Sequence, residues 1–260
     1  MPVAALVEAG GIFGIRAGSI RVALARLLAD ARIERDGRGR YRLGAASTPI
    51  ETLVRSWRHL EERTCTWTGA WLGVQVRSGT PRADRSHSLR ALRLLGYAQL
   101  SSGFYVRPAN LRERPVESRA LLGGLGLEAS AVSCELHDLD ARSQRAALEL
   151  WDLEALLRGY REMRARLEES AEGLAKRTTE AAMAESFLLG GQVIGQLVQD
   201  PLLPEQILPR QERDALVQTM RHYDALGRAA WSAFLDRFGV RHRSTPQDTR
   251  VVASLNRARA

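Results

Sequence analysis

The clearest alternation of apolar and polar positions lies between residues 14 and 43. From Ile20 the apolar residues follow the i, i+3, i+4, i+7 spacing of an amphipathic helix. They are Ile20, Ala23, Leu24, Leu27 and Leu28. Residues 31–36 and 40–43 then predict two short strands, and Gly37-Arg38-Gly39 supplies the permissive backbone of a hairpin tip. A short helix followed directly by a small hairpin predicts the second half of a winged helix-turn-helix.

A shorter apolar segment comes before this motif. Residues 2–9 predict a short helix, ended by Gly10-Gly11, that would be the first of the helix-turn-helix pair. A complete winged helix has a further helix before that pair. We therefore expect either that the first helix is missing or that another element covers that side of the small core.

Strands and helices alternate after this unit. Residues 49–63 predict a linking helix that starts at a proline. Strands are predicted at residues 70–76, 97–100, 104–106 and 131–136, with helices at residues 85–95 and 110–122. Asn110 is expected to cap the second of these helices. The order strand, helix, strand, strand, helix, strand is that of a ferredoxin-like βαββαβ domain.

The last part of the chain is predicted to be helical. Long helices are expected at residues 143–170, 178–199 and 211–238. Three prolines, Pro201, Pro204 and Pro209, separate the last two. The predicted fold is therefore α+β, with four segments. They are an N-terminal winged helix-turn-helix at residues 1–47, a linker helix at 48–66, a central ferredoxin-like βαββαβ domain at 67–140 and a C-terminal helical domain at 141–260.

The net positive charge of the chain indicates an acidic binding partner. The chain has a formal net charge of +8 at pH 7, which favours an acidic partner, and nucleic acid first. The two cysteines have no metal-ligand spacing and suit a reducing compartment. We recognise no signal peptide, and no run approaches the ~18 apolar residues of a membrane helix. We therefore predict a cytoplasmic protein with no membrane partner.

Part of this positive charge is concentrated on the helix and hairpin described first. Eight arginines lie between residues 16 and 42, against three acidic residues. A guanidinium group on a helix can read a guanine edge in the major groove, and a basic hairpin tip can contact phosphates. The residues predicted to bind DNA are Arg16, Ser19, Arg21, Arg26, Arg38 and Arg40. The alternative is an ordinary solvated basic face, which is common in an arginine-rich chain.

Motifs for catalysis or metal binding are not recognisable in the sequence. The five histidines show no metal-ligand spacing, and neither a GxSxG motif nor a Walker motif occurs. The predicted ferredoxin-like unit resembles a small CRISPR-adaptation nuclease domain, in which an Asp ends the first strand. Here that strand ends Val74-Gln75-Val76-Arg77, without a carboxylate. We predict no enzymatic activity, no metal and no cofactor, and keep a metal-dependent nuclease or a ligand-binding protein as alternatives.

Three sets of residues, in this order, resemble the PaaX family of bacterial transcriptional regulators. They are residues 20–27 with 37–43, Leu95-Gly96-Tyr97 with residues 103–108, and Trp151-Asp152-Leu153 with Tyr160, residues 200–204 and Leu208-Pro209. The resemblance implies a homodimeric repressor that binds the operator of an aromatic-acid, phenylacetate-type catabolic operon. It also implies that an aryl-acyl-CoA effector, typically phenylacetyl-CoA, releases the repressor from DNA.

An effector site is predicted near the junction of the second and third units. Pockets prefer domain junctions and combine apolar walls with a few polar anchors, and guanidinium groups suit phosphates. The residues predicted to bind the effector are Trp71, Tyr105, Trp151, Tyr160, Arg90, Arg93 and Arg107. The alternative is that the aromatic residues are plain core and the arginines form a solvated face.

A two-fold interface is expected from the helices after Ser143. Two half-sites about one helical turn apart are usually read by a dimer, and these helices are long and apolar. The alternative is that their apolar faces only cover each other within one chain.

Overall fold

The protein is described by a computed structural model that covers residues 1–77, 79 and 81–242. The chain forms two compact units. Unit 1 comprises Met1–Thr48, Glu162–Ile194 and the segment from Ala215 onward, and unit 2 comprises Pro49–Arg161 and Gly195–Asp214. Both units combine helices with strands, so the class is α+β, as predicted.

Unit 1 begins with two helices and a hairpin. Helix α1 spans Val3–Ile12 and α2 spans Ala17–Ala29, while β1 (Ile33–Arg35) pairs antiparallel with β2 (Tyr41–Leu43). Gly37 and Gly39 turn the hairpin with φ of +88° and +67°, a region that favours glycine. The helix and hairpin predicted from the apolar pattern are therefore present at the expected positions.

The apolar face of α1 is covered by two helices from the end of the chain. They are α8 (Thr179–Val198) and α9 (Gln211–Arg237). Ala5 on α1 is buried against Met183 of α8 and Phe234 of α9, and Phe13 lies 5.1 Å from Phe187 between ring centroids. The core of unit 1 therefore joins segments that are far apart in the sequence.

Unit 2 contains a four-stranded sheet with helices between its strands. Helix α3 (Thr48–Ser56) and a 3-10 turn (Trp57–Arg63) lead into it. The elements that follow are β3 (Trp71–Gln75), α4 (Arg82–Leu94), β4 (Ala98–Ser101), β5 (Phe104–Pro108), α5 (Pro115–Gly124) and β6 (Val132–Leu136). The strand order in the sheet is β4-β5-β3-β6, and each adjacent pair is antiparallel. The elements thus occur in the order that the sequence predicted.

Two sequence-based expectations about helix ends are wrong. The helix predicted at residues 143–170 is two helices, α6 (Ala141–Leu148) and α7 (Leu153–Leu174). The break arises because Asp152 accepts a hydrogen bond from the backbone of Ala155 and so caps a new helix. Asn110 does not cap α5, because its buried side chain donates to the Leu202 carbonyl. At the start of α5, Oε2 of Glu117 accepts instead from the backbone N–H of Arg114 over 2.9 Å.

Helix α8 is long and apolar enough to cross a membrane, with a mean hydropathy of 1.2 over an 18-residue window. The sequence did not lead us to expect an apolar run of this length. Met183, Leu189, Val193 and Leu197 of this helix are buried inside the protein. This burial is typical of a core helix, which passes the same test.

Candidate functional site

The six residues predicted to bind DNA all lie in unit 1 and are exposed. Arg16 directly precedes α2, and Arg16, Ser19 and Arg26 line one open groove together with Val22 and other small residues. Arg21 is not part of this groove. At about 100° per residue it lies about 200° around the helix axis from Ser19. The structure therefore brings three of the four predicted residues of this segment together.

The hairpin tip carries the other two predicted residues, Arg38 and Arg40. Within the described part of the chain, neither these two arginines nor Arg16, Arg21 and Arg26 form an ion pair with an acidic side chain. Arg42, one residue further along the hairpin, differs because its Nε lies 2.5 Å from Oε1 of Glu34. Unpaired positive charge is therefore present on α2 and at the hairpin tip.

A cavity of about 570 Å³ lies within unit 2. Its walls come from α4, the start of β4, β5, the segment from Leu150 into α7, the end of α8 and the residues directly after α8. Arg93, Tyr105 and Trp151, three of the seven residues predicted to bind an effector, line it together. The aromatic Tyr97 and the neutral side chains of Gln99, Gln196 and Gln199 also line it. We call this space the Trp151 cavity.

Trp71 does not line the Trp151 cavity but supports its aromatic wall. The Trp71 side chain is fully buried and stacks on Trp151 with 6.3 Å between ring centroids and 11° between planes. Trp71 Nε1 donates to Oε1 of Gln144 over 3.0 Å, and the Trp67 ring packs edge-on at 5.3 Å. The plane of Trp151 is thus fixed by core residues behind it.

Arg107 does not face the Trp151 cavity, contrary to the prediction that it binds an effector phosphate. Its side chain is 1% exposed and donates to the carbonyls of Leu95 and Pro201 and to Oδ1 of Asn110. Burial lowers the pKa of the guanidinium to about 10. Its hydrogen-bonding groups are committed to the protein, so Arg107 has a structural role near the end of β5, an inner strand of the sheet.

Tyr160 also supports the cavity from outside. Its hydroxyl donates to Oδ2 of Asp200 over 2.6 Å, while Oδ1 of Asp200 accepts from the backbone of Leu202 over 2.7 Å. Burial, followed by the charge of Asp200, raises the pKa of Tyr160. These bonds hold the loop that contains Pro201, which lines the cavity. Arg90, the last predicted residue, is exposed on α4 and outside the lining.

The glutamines of the cavity were not predicted from the sequence. Gln99 lies on β4, Gln196 near the end of α8 and Gln199 directly after that helix, and tertiary packing alone brings these segments together. In the structure, β3 ends at Gln75. Among residues 1–77, 79 and 81–242, no group of three His, Cys, Asp or Glu side chains is arranged to hold a metal ion.

Comparison with known proteins relates the end of the chain to one family. Residues 151–241 match the PaaX-like protein C-terminal domain. The chain carries a PaaX-like C-terminal domain. This confirms the resemblance inferred from Trp151-Asp152-Leu153, Tyr160 and the proline-rich loop, all of which lie inside the matched segment. Proteins of the PaaX family are generally transcriptional regulators, which indicates a regulatory role. The PaaX-like domain supplies Trp151, Gln196, Gln199 and Pro201 to the cavity.

A solved structure resembles the whole chain rather than this domain alone. The uncharacterized protein Rv0674 from Mycobacterium tuberculosis is similar with a TM-score of 0.51 and 22% sequence identity. The similarity covers 88% of this chain and 91% of that chain, and at this identity it concerns the fold alone. A search of curated proteins finds no match.

Proposed function

We propose that this protein is a cytoplasmic DNA-binding repressor of an aromatic-acid, phenylacetate-type catabolic operon, relieved by an aryl-acyl-CoA effector. The PaaX-like domain at residues 151–241 supports a regulatory role. The observation that carries DNA binding is the exposed basic surface of unit 1, whose five arginines have no acidic partner in the described part of the chain. We interpret the two helices and hairpin as a winged helix-turn-helix and the sheet of unit 2 as a ferredoxin-like domain.

The outward face of α2 suits the major groove of B-DNA. Gly18, Ser19 and Ala23 are small, so the helix backbone can approach the bases closely. Arg26 presents a guanidinium group on the same face, where it can read a guanine edge bidentately. Arg38 and Arg40, at the hairpin tip, are suited to contact phosphates, which adds affinity without sequence discrimination.

A pair of variants tests this proposal on DNA from upstream of the protein's own gene. We expect Arg26→Ala to reduce discrimination between the upstream site and a scrambled duplex by about 1–3 kcal/mol, because a base contact is lost. Arg42→Ala is the matched control, since its side chain is paired with Glu34. Fluorescence anisotropy over a salt series measures both variants. Equal binding of the unaltered protein to upstream and scrambled DNA would contradict the proposal.

Arg38→Ala should behave differently from Arg26→Ala. A phosphate contact at the hairpin tip is sequence-independent, so its loss should weaken binding to all duplexes alike. We expect the slope of the logarithm of affinity against the logarithm of salt concentration to fall by about one unit. The same salt series measures this slope, and an unchanged slope would show that Arg38 does not contact a DNA phosphate.

A ligand-binding protein with a basic appendage is the second candidate function. The Trp151 cavity, with its aromatic and amide lining, favours it. It would bind an aryl-acyl ligand yet show no sequence-specific, salt-dependent shift of upstream DNA. A footprint on that DNA, with and without a panel of acyl-CoAs, separates the two functions.

A further inference from the structure

Helix α2 carries an apolar side chain between two polar ones in its open groove. We propose that Val22 is a specificity-determining residue, whose side chain packs against the 5-methyl group of a thymine in the major groove of the bound DNA. This inference rests on the proposed function, because it names a base that the DNA-binding surface distinguishes.

Helix α2 turns one face toward α1 and another toward solvent. A Cβ atom at Gly10 of α1 would overlap the Ile20 side chain, so Ile20 packs closely against that helix. Leu24 and Leu27 follow Ile20 at helical spacing and are half-buried. Val22 lies about 200° around the helix axis from Ile20, so its side chain points away from this small core.

The exposure of Val22 is unusual for its helix. Every residue of α2 is described, and Val22 is its one exposed large apolar side chain, at 53% in the single chain. Single exposed apolar residues are common on protein surfaces and need no partner by themselves. The position of Val22 between two polar side chains that lack a protein partner sets it apart.

These polar side chains are Ser19 and Arg26. They line the same open groove as Val22 and lie three and four residues from it, on one side of the helix. Within the described part of the chain, neither the Ser19 hydroxyl nor the Arg26 guanidinium makes a hydrogen bond or an ion pair. This polar, apolar, polar order matches base edges in the major groove, which present hydrogen-bonding groups beside thymine methyl groups.

Thymine is the base that suits a valine. Its 5-methyl group is the apolar feature that distinguishes it in the major groove. The Val22 side chain has no donor or acceptor, so it gains contact area from this methyl group and no hydrogen bond from any base. A cytosine at the same place would bring its amine against Val22, and an amine that loses water without a new acceptor is costly.

The charge of this helix favours DNA over a protein as the partner that covers Val22. Helix α2 and the residue before it carry Arg16, Arg21 and Arg26, and no acidic side chain lies in that segment. A protein surface that covered only the apolar side chain would leave these cations close together without neutralising them. A polyanion neutralises them and supplies the thymine methyl group as well.

The rise of the helix sets the distance between the two bases that are read. Four residues advance an α-helix by about 6 Å, which corresponds to about two base pairs of B-DNA at about 3.4 Å each. The thymine contacted by Val22 should therefore lie within about two base pairs of the guanine read by Arg26.

The first test removes a methyl group from the DNA and leaves the protein unaltered. Each thymine of the footprinted upstream site is replaced in turn by deoxyuridine, which lacks only the 5-methyl group. We expect one of these replacements in a half-site to weaken binding about fourfold, the effect of losing one buried methyl contact. Sequence-specific binding that no replacement weakens would overturn the Val22 contact, while the DNA-binding function would stand.

Protein variants assign the methyl group to Val22. Val22→Ala should weaken binding to the thymine site by a similar factor and should not respond to the sensitive deoxyuridine, because the contact is already lost. Alanine favours a helix, so the variant should keep its fold. Val116→Ala is the matched control, since Val116 is 68% exposed on α5, outside the groove. A Val22→Ala variant that responds fully to deoxyuridine would overturn the assignment to Val22.

The position of the guanine gives an independent check. Replacing that guanine by 7-deazaguanine removes the N7 acceptor, and Arg26→Ala should be insensitive to this change. A full helical turn between the sensitive guanine and the sensitive thymine would overturn the proposed arrangement. Equal binding of the unaltered protein to upstream and scrambled DNA would overturn both this inference and the proposed function.

Discussion

Arg107 joins three parts of unit 2 through one guanidinium group. We expect Arg107→Met to lower the free energy of unfolding by roughly 3 kcal/mol, because it leaves the carbonyls of Leu95 and Pro201 and Oδ1 of Asn110 without a donor. The exposed Arg112 offers a control, for which Arg112→Met should change stability by less than about 0.5 kcal/mol. Urea denaturation measures both. Similar losses in the two variants would show that the buried hydrogen bonds contribute little.

Tyr160 predicts a pH dependence of stability. Its pKa is raised above the ordinary value of 10.0 by burial and by Asp200, so the unfolded chain loses this proton first. The stability contributed by the protonated hydroxyl is therefore complete below about pH 10 and is lost as the pH rises further. Tyr160→Phe should cost about 1 kcal/mol at neutral pH through its lost hydrogen bond. It should also make the alkaline decline of stability shallower, as measured by urea denaturation at several pH values. An equally steep decline would assign the effect to other groups.

At the scale of elements, the turn after α4 and the loop of Pro201 depend on each other. Gly96 has a φ of +76°, and a Cβ there would lie 2.6 Å from Cα of Pro201. Gly96→Ala should therefore destabilise the protein by more than about 1 kcal/mol.

Gly191→Ala should have the opposite effect on stability, because Gly191 lies within α8 with open space around it. Alanine should stabilise that helix by up to about 1 kcal/mol. Thermal unfolding measures whether each variant is less or more stable than the unaltered protein. A more stable Gly96→Ala variant would contradict the close contact between Gly96 and Pro201.

Prediction from the sequence succeeded where an element is defined by its own residues. The spacing of Ile20, Leu24 and Leu27 and the glycines of the hairpin were sufficient for α2 and its two strands. The break before α7 was missed because apolar Leu150 and Leu153 continue the helical period across it. The helix is interrupted there by a single residue, Asp152, whose carboxylate caps the start of α7.

The candidate sites show the same distinction. Trp151 and Tyr105 were predicted as neighbours because aromatic residues near a junction are recognisable in a sequence, and both line the Trp151 cavity. Gln196, which also lines it, carries no local signal. Arg107 was assigned to a ligand because a sequence does not reveal that a cation is buried and already bonded. Burial and partner choice are properties of the tertiary structure.

At the scale of the whole molecule, we propose that the chain forms the homodimer expected from its sequence, which requires an interface. Helix α8 exposes Phe187 and Leu188, which are 59% and 55% exposed in the single chain. We expect sedimentation velocity at micromolar concentration to show a dimer, and Leu188→Glu to convert it to a monomer because a buried, unpaired charge is costly. Val116→Glu is the control, since Val116 is 68% exposed on α5, outside α8. A monomeric unaltered protein in the presence of operator would contradict the dimer.

Unit 1 is built from segments that are far apart in the sequence, and this has a consequence during protein synthesis. The ribosome makes α1, α2 and the hairpin first, yet the residues that cover α1, Met183 and Phe234, are made much later. Domains fold as units as the chain emerges, and an incomplete core leaves its segment without its partners. The basic surface therefore reaches its final structure only once α9 has been made. Under the proposed function, unfinished chains would then not compete with finished ones for the same DNA site.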